Sequence, residues 1–324
     1  MATAQNAESE LSSSSELVLT YPSPAVRGAL ELRTTDLERL LPGACLNDTI
    51  IEFGCKTIFH EVLSEELGRA TQLFSPHFYS CLTGALGASA LTTPELSIGA
   101  LRHERVRRWT RSVDVFTKDY IVVPVNVRNH WILVIICFAG RALPHEQAPH
   151  EIPNAYILVF DSLRGYVRNL DEIARNLRGY LSEEWKRKRE SVLVFTEANM
   201  PLYVPLTPQQ TNNTDCGVYV LMNIEAFFRN APKNGEPVEM NRNLFSSGHV
   251  ALKRTAMSQL IIQLHEKQHP GSDLRSKWRV RAAGTELQHE TPETASAVLP
   301  PAGVVRRSIR RRTPAKMCHL PYCG

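Results

Sequence analysis

Cys216 follows Asn212, Asn213, Thr214 and Asp215, a run of turn-forming and helix-capping residues. It precedes Val218, Val220, Leu221, Ile224, Phe227 and Phe228, an apolar set suited to a largely buried helix. A sulfur at a helix N-terminus faces unpaired backbone N–H groups and the positive end of the helix dipole. Its pKa is expected to fall and its thiolate fraction to rise, which is what a nucleophile needs. Gly217, with no side chain, admits a close approach by another backbone or by a substrate. A cysteine nucleophile also needs a base, and the base needs a third group to hold its tautomer. His130 lies between two β-branched runs, directly before Trp131, and Asp161 ends the run "YILVFD". Each has an ordinary structural reading by itself: a turn histidine, a turn-capping carboxylate, a cysteine that opens a helix. Brought to neighbouring sheet ends, the three make a thiol acyl-transfer site. Gln209 and Gln210 could each add a side-chain donor for an oxyanion beside the Cys216 N–H, and local sequence does not separate them.

The elements that must position these groups alternate between strand and helix patterns over residues 19–268. "LNDTIIEFGCKTIFHEVLSEEL" opens with Asn47, a good N-cap, and sets Ile50, Phe53, Cys55, Ile58, Val62 and Leu63 near helical spacing. "YIVVPVNV" (120–127), "WILVIICF" (131–138), "YILVFD" (156–161) and "SVLVF" (191–195) read as strands, the first two apolar on successive positions and so covered on both faces. Between the last two strands, apolar residues at 170, 173, 177, 181 and 185 trace one stripe of a helix. The fold class that accommodates these elements is α+β, a central mixed sheet flanked by helices.

Composition sets the surroundings. The 324 residues are 43% hydrophobic, ample for a buried core. The opening "MATAQNAESELSSSSELVL" is acidic and Ser-rich, unlike a secretory signal. The longest apolar run, Trp131 to Ala139, falls far short of the roughly 20 residues that span a bilayer, so no membrane partner is expected. Seven cysteines without CxxC pairs suggest a reducing compartment and no disulfide framework, with Cys55, Cys81 and Cys137 as inert small hydrophobes. No metal is expected, since "CHLPYC" (318–323) has no matching second half. The net charge is +4, and from Pro270 onward ten Lys or Arg stand against four acids. Residues 269–324 therefore read as a basic, mostly disordered tail, and residues 1–18 as a disordered lead-in. "RRSIRRR" (306–312) reads as a nuclear-import signal or polyanion contact, set against a plain solvated tail; nucleic acid is not a required partner.

The set "LNDTIIEF", "RVRRWT", "NHW", "VFDSL" and "QTNNTDCGVYVLMN" resembles the SUMO-specific (sentrin-specific) cysteine proteases of the ubiquitin-like-protein protease family, from about residue 21 to Leu264. The stretch from Arg102 to Phe138 is similar to the branch that trims poly-SUMO chains. The resemblance implies a papain-like-superfamily fold, although papain's own chain places its Cys first. It implies His130, Asp161, Gln210 and Cys216 as catalytic base, orienting carboxylate, oxyanion donor and nucleophile. It implies Trp131 as a wall of the slot for the di-glycine tail of SUMO, and Asp48 as a contact to the SUMO body. No cofactor is implied. The partners implied are SUMO, SUMO-conjugated proteins and poly-SUMO chains. A monomer acting in the nucleus is expected, with the cytoplasm as an additional location. SUMO-precursor processing is a secondary activity.

Two positions depart from the family pattern. Cys45 stands where an aromatic residue usually precedes "LND", and His77 replaces the usual Phe in "FSPHFY". Both bear on substrate affinity. The insert at 139–154 is expected to be a solvent loop, with a substrate-contacting exosite as its alternative. Arginines 102, 105, 107, 108 and 111 are set between steering of an acidic SUMO face and a locally paired, solvated face. Two other functions stay in view: a protease for another modifier such as Nedd8, and a non-catalytic SUMO-binding module, whose signature would be a lost catalytic residue.

Overall fold

The computed structural model describes residues 15–26, 28–85, 97–142, 154–231 and 243–286. The runs at 306–312 and 318–323 and most of the 139–154 insert lie outside the described residues. The chain opens with the hairpin β1 (Leu17–Tyr21) and β2 (Leu30–Arg33), followed by the single turn α1 (Thr34–Leu37). Next come α2 (Asp48–Thr57), α3 (Glu65–Ala70), β3 (Thr71–Leu73), α4 (His77–Thr83) and α5 (Ile98–Val106). The sheet continues with β4 (Tyr120–Val127), β5 (His130–Cys137) and β6 (Tyr156–Phe160). After α6 (Leu170–Arg189) and β7 (Leu202–Tyr203) come α7 (Cys216–Arg229), α8 (Ser247–Gln268) and α9 (Leu274–Glu286).

Among the described residues, five strands form one mixed sheet in the order β3-β4-β5-β6-β7, antiparallel in the middle and parallel at both edges. Every residue of β5 is buried, because both faces are covered as its unbroken apolar run requires. Side chains alternate between the faces. Leu133, Ile135 and Leu158 meet α2 and α7 in one apolar cluster, while Ile132, Val134, Ile157 and Val159 meet α4 and α6 in the other.

Three expectations change. "SVLVF" (191–195) is not a strand of the sheet; β7 pairs with β6 instead, Leu202 opposite Ile157. Ser182 Oγ takes the Phe195 N–H at 2.9 Å and Asn199 takes the Val194 carbonyl at 3.0 Å, so side chains satisfy part of the backbone of this segment. Val192 and Val194 point to solvent, 79% and 58% exposed. The helix from Asn47 stops early: after Thr57 it loosens into one π-helical turn, Ile58–Val62, and Ser64 caps α3 anew. The apolar row leaves the core there, with Val62 half exposed. Lastly, α9 lies inside the stretch expected to be a tail. Leu274 and Trp278, one turn apart, rest on the core, too sparse a signal to outweigh the basic composition. The first strand likewise begins at Leu17, inside the expected lead-in.

Between α5 and α6 a carboxylate is fully buried. Glu184 accepts from His103 Nε2 at 2.6 Å, from Thr110 Oγ1 at 2.9 Å and from Arg187 Nη2 at 2.5 Å. Burial alone would raise its pKa, but these donors outweigh burial and hold it down at about 2. A carboxyl depressed in the folded state adds stability above its unfolded value, near 4.5, and loses it as pH falls toward 2. Glu184→Gln is therefore expected to cost roughly 2 kcal/mol at pH 7. It should also flatten the acid limb between those two pH values, as urea unfolding at stepped pH will measure; an unchanged acid limb would refute this.

Candidate active site

The β4–β5 hairpin turns through Arg128 and Asn129, with φ of 52° and 65°. This left-handed pair matches the twist of the flanking strands, although non-glycine residues rarely adopt it. Val127 pairs with His130, which becomes the first residue of β5. The antiparallel register of β5 and β6, Leu133 opposite Phe160, then carries Asp161 to the same sheet end. His130 alternates with Ile132 and Asp161 with Val159, so both side chains stand on the α6 face. His130 Nε2 meets Asp161 Oδ1 at 2.8 Å, and both residues are buried. The same Oδ1 accepts the Leu163 N–H at 2.9 Å, which fixes the carboxylate.

Cys216 is the first residue of α7 and is 2% exposed. Asn212 shapes the loop before it: its Oδ1 accepts from the N–H groups of Thr214 and Asp215, both at 3.0 Å. The Cys216 thiol lies close enough to the His130 ring to perturb its charge. Nε2 is engaged by Asp161, which leaves Nδ1 without a partner among the hydrogen bonds of the described residues. Burial would lower the imidazole pKa, but the bonds and charges of Asp161 and Cys216 outweigh it and raise it to about 9. The three groups that sequence placed on separate elements therefore meet. Cys55 and Cys137 are fully buried, with pKa values driven up by desolvation, and Cys81 is partly exposed.

The residue that holds this loop was not singled out from sequence. Asp215 occupies the N-cap position of α7 without capping it. Its Oδ1 instead accepts from both Arg254 Nε at 2.9 Å and Nη2 at 2.6 Å, while its Oδ2 accepts from Asn212 Nδ2 at 2.7 Å. Arg254, buried on α8, also donates to the carbonyls of Arg39, Ala44 and Thr214 at 3.0, 2.8 and 3.2 Å. One guanidinium thus ties the segment before α2 to the residue before Cys216. No signal in the sequence marks it, since an arginine in a polar helix ordinarily faces water.

The close approach at Gly217 is made by protein. A Cβ there would stand 2.9 Å from both Leu46 Cβ and Ile51 Cδ1, so a glycine lets α7 lie against the start of α2. Trp131, on the opposite sheet face from His130, donates its indole N–H to the Leu46 carbonyl at 3.0 Å. Cys45 is exposed, its sulfur 3.9 Å from the Asn213 carbonyl. Asp48 lies in the first turn of α2, about half exposed, with His77 Nδ1 at 3.8 Å. His77 thus faces a carboxylate as well as replacing an apolar contact. Of the five arginines, Arg102 donates to Asn176, Arg105 to the Gly84 carbonyl and Arg107 to Glu104, which leaves Arg108 and Arg111 turned to solvent.

The two glutamines separate by their partners. Gln209 Nε2 donates to the carbonyls of Asp161 and Thr207 at 2.9 and 3.2 Å, and its Oε1 accepts the Arg164 N–H. Gln210 is buried; its Oε1 accepts from Ser162 Oγ at 2.7 Å and its Nε2 donates to the Asn212 carbonyl at 2.6 Å. A primary amide carries two N–H groups, so Gln210 keeps one donor beyond Asn212 while Ser162 fixes its plane.

Residues 44–260 match the Ulp1 protease family, C-terminal catalytic domain. Sentrin-specific protease 7 of Rattus norvegicus is 33% identical over 304 residues, covering 79% of this chain and 29% of the rat protein. Ubiquitin-like-specific protease 2 of Schizosaccharomyces pombe is 34% identical over 236 residues, 65% of this chain and 34% of that protein. The chain thus spans about a third or less of the length of these curated relatives. A crystal structure of a de-sumoylating protease aligns with TM-score 0.52 at 22% identity, covering 85% of this chain and 98% of that one. The Ulp1 protease domain solved with SMT3, the yeast ortholog of SUMO, aligns with TM-score 0.51 at 24% identity, covering 80% and 93%. These likenesses bear out the expected fold class, a mixed sheet flanked by helices.

Proposed function

This chain belongs to the Ulp1 protease family, and from that premise we propose that it is a cysteine isopeptidase that hydrolyses the bond between the C-terminal glycine of SUMO and a lysine amine. The observation that carries the proposal is the His130 imidazole held between the Asp161 carboxylate at 2.8 Å and the Cys216 thiol at a helix N-terminus.

In this reading His130 holds the proton released by Cys216, leaving a thiolate beside an imidazolium. The sulfur adds to the glycine carbonyl, and the electron pair of the C=O bond moves to oxygen. The free N–H of Gln210 and the backbone N–H of Cys216 receive that oxyanion. As the tetrahedral adduct collapses, the C–N bond breaks and His130 delivers its proton to the departing lysine amine. The thioester that remains is hydrolysed by water, with His130 taking the water's proton. Asp161 orients the ring and stabilises its charged form. Trp131 walls the slot for the two glycines, and Asp48 contacts the body of the modifier.

Poly-SUMO trimming is the main task in this reading, precursor processing the lesser one, and the protein acts as a nuclear monomer. Its partners are SUMO and SUMO conjugates, and it needs no cofactor. Incubating the protein with poly-SUMO chains, a SUMO precursor and carboxy-terminal fluorophore fusions of SUMO and Nedd8 tests the substrate. Release from SUMO substrates is expected; preferred release from Nedd8 would overturn the assignment. A fluorescent fusion that keeps its nuclear accumulation without residues 306–312 would remove those arginines as the import signal.

Gln210→Ala is expected to lower kcat by roughly a hundredfold or more with little change in KM, since the donor serves the oxyanion and not the bound substrate. Gln209→Ala should lose less, because Gln209 acts through the 161–164 backbone. Steady-state kinetics of the two variants will rank them; equal losses would place the oxyanion donor elsewhere.

A further inference from the structure

The loop after Asp161 builds a rigid rim around His130 on the side away from Trp131. Asp161 Oδ1 holds the Leu163 N–H, Gln209 Oε1 holds the Arg164 N–H at 2.9 Å, and the Tyr166 N–H closes a turn on the Leu163 carbonyl at 3.0 Å. Gly165, at φ 90°, supplies the left-handed residue this turn requires. Tyr166 is thereby set against the imidazole, ring centroids 5.0 Å apart, and is half exposed. Its hydroxyl donates to the Arg128 carbonyl at 3.2 Å, joining this loop to the β4–β5 turn. Arg164 and Arg168 lie two residues to either side of Tyr166, the Arg128 carbonyl accepts its hydroxyl, and all three arginines are exposed. Among the described residues no carboxylate pairs with any of the three. The nearest acids along the chain are Asp119, paired with Arg141, Asp161, bound to His130, and Asp171 and Glu172 in the first turn of α6.

The direction in which substrate leaves assigns this rim a partner. In the isopeptidase reading the amine departs toward the group that protonates it, His130, whereas the modifier's tail lies against Trp131, whose indole holds the Leu46 carbonyl. In that reading residues flanking the scissile lysine leave past Tyr166, which borders the His130 ring. We propose that Arg128, Arg164 and Arg168 form a recognition rim for acidic residues beside the acceptor lysine, so that conjugates on acidic stretches are cleaved faster. The proposal rests on the isopeptidase reading and adds the acceptor chemistry to it. Unpaired guanidinium groups beside a cleft attract carboxylates over a Debye length and bind them bidentately on contact.

The test compares SUMO joined through an isopeptide bond to lysine peptides with acidic, neutral or basic flanks, alongside a SUMO-aminocoumarin amide that has no flanking residues. Wild-type kcat/KM is expected to be roughly tenfold higher on acidic than on basic flanks at low salt, the ratio shrinking as salt is added. The triple variant Arg128→Glu, Arg164→Glu, Arg168→Glu should reverse the order of the flanks, with the aminocoumarin amide cleaved within about twofold of wild type. Equal rates on the three flanks, or an equal loss on conjugates and aminocoumarin amide alike, would overturn the rim. No turnover of the aminocoumarin amide by wild type would instead overturn the isopeptidase reading, and the rim with it.

Discussion

Cys216→Ser is expected to abolish turnover while leaving the fold intact. The oxygen that replaces sulfur has an alcohol's pKa, and an imidazole with a pKa of about 9 cannot hold its proton in the ground state. Removing the nucleophile of a unit that acts together typically costs roughly a millionfold in kcat. The side chains differ little in volume and the site is buried, so the unfolding midpoint should move by about 2 °C or less. Kinetics on a SUMO-aminocoumarin amide, paired with a thermal melt, measures both. Residual activity within a hundredfold of wild type would remove Cys216 as the nucleophile.

The same site sets the pH profile. If, as proposed, the departing amine takes its proton from His130, kcat/KM should decline as pH rises through about 9, where the imidazolium of the pair is lost. Asp161→Asn replaces a carboxylate with a neutral amide and withdraws part of the stabilisation of the charged ring. Its alkaline limb is therefore expected at lower pH, together with a fall in kcat. A limb that stays in place would show that Asp161 does not hold the imidazolium.

Arg254→Met carries the other large effect, and it acts without touching substrate. The guanidinium is 7% exposed and holds Asp215 Oδ1 through two nitrogens, so its removal leaves a largely buried carboxylate without its ion partner. Breaking such a pair costs roughly 3–5 kcal/mol, which in a domain of this size is a fall of about 10 °C in Tm. The carbonyls of Arg39, Ala44 and Thr214 lose their shared donor as well, and the loop that sets Cys216 loosens against the start of α2. Displacement of the sulfur by about 1 Å costs on the order of a hundredfold in rate, so kcat should fall even well below the melting transition. Arg254→Lys keeps the charge and loses the fork, and should lie between the two. The double variant Asp215→Asn, Arg254→Met should recover part of the stability, because no unpaired carboxylate remains. A melt of Arg254→Met within about 2 °C of wild type would remove this residue from its positioning role.

Much of the site was legible in the sequence because its determinants are local. Asn212 to Asp215 followed by an apolar run announces a helix N-terminus at Cys216 whatever the rest of the chain does. Strand ends at His130 and Asp161 follow from where β-branched runs stop. Other readings failed where the deciding contact is distant. "SVLVF" has the composition of a strand, yet Ser182 and Asn199 take part of its backbone and Leu202 holds the place beside β6. Leu274 and Trp278 are too few to signal a helix, and α9 lies with them against a core assembled elsewhere. The choice between Gln209 and Gln210 required family resemblance, since two adjacent amides are chemically alike until their partners are known.

The sequence by itself determined which residue types could perform thiol acyl transfer and that each sits at the end of an element, since capping and β-propensity act over a few residues. Only the tertiary structure decided that His130 and Asp161 meet at one sheet end, that Ser162 orients Gln210, and that Arg254 ties Asp215 to the segment before α2. Those outcomes depend on strand register and helix packing between residues far apart in the chain, and no local preference encodes which distant partner a buried polar group will find.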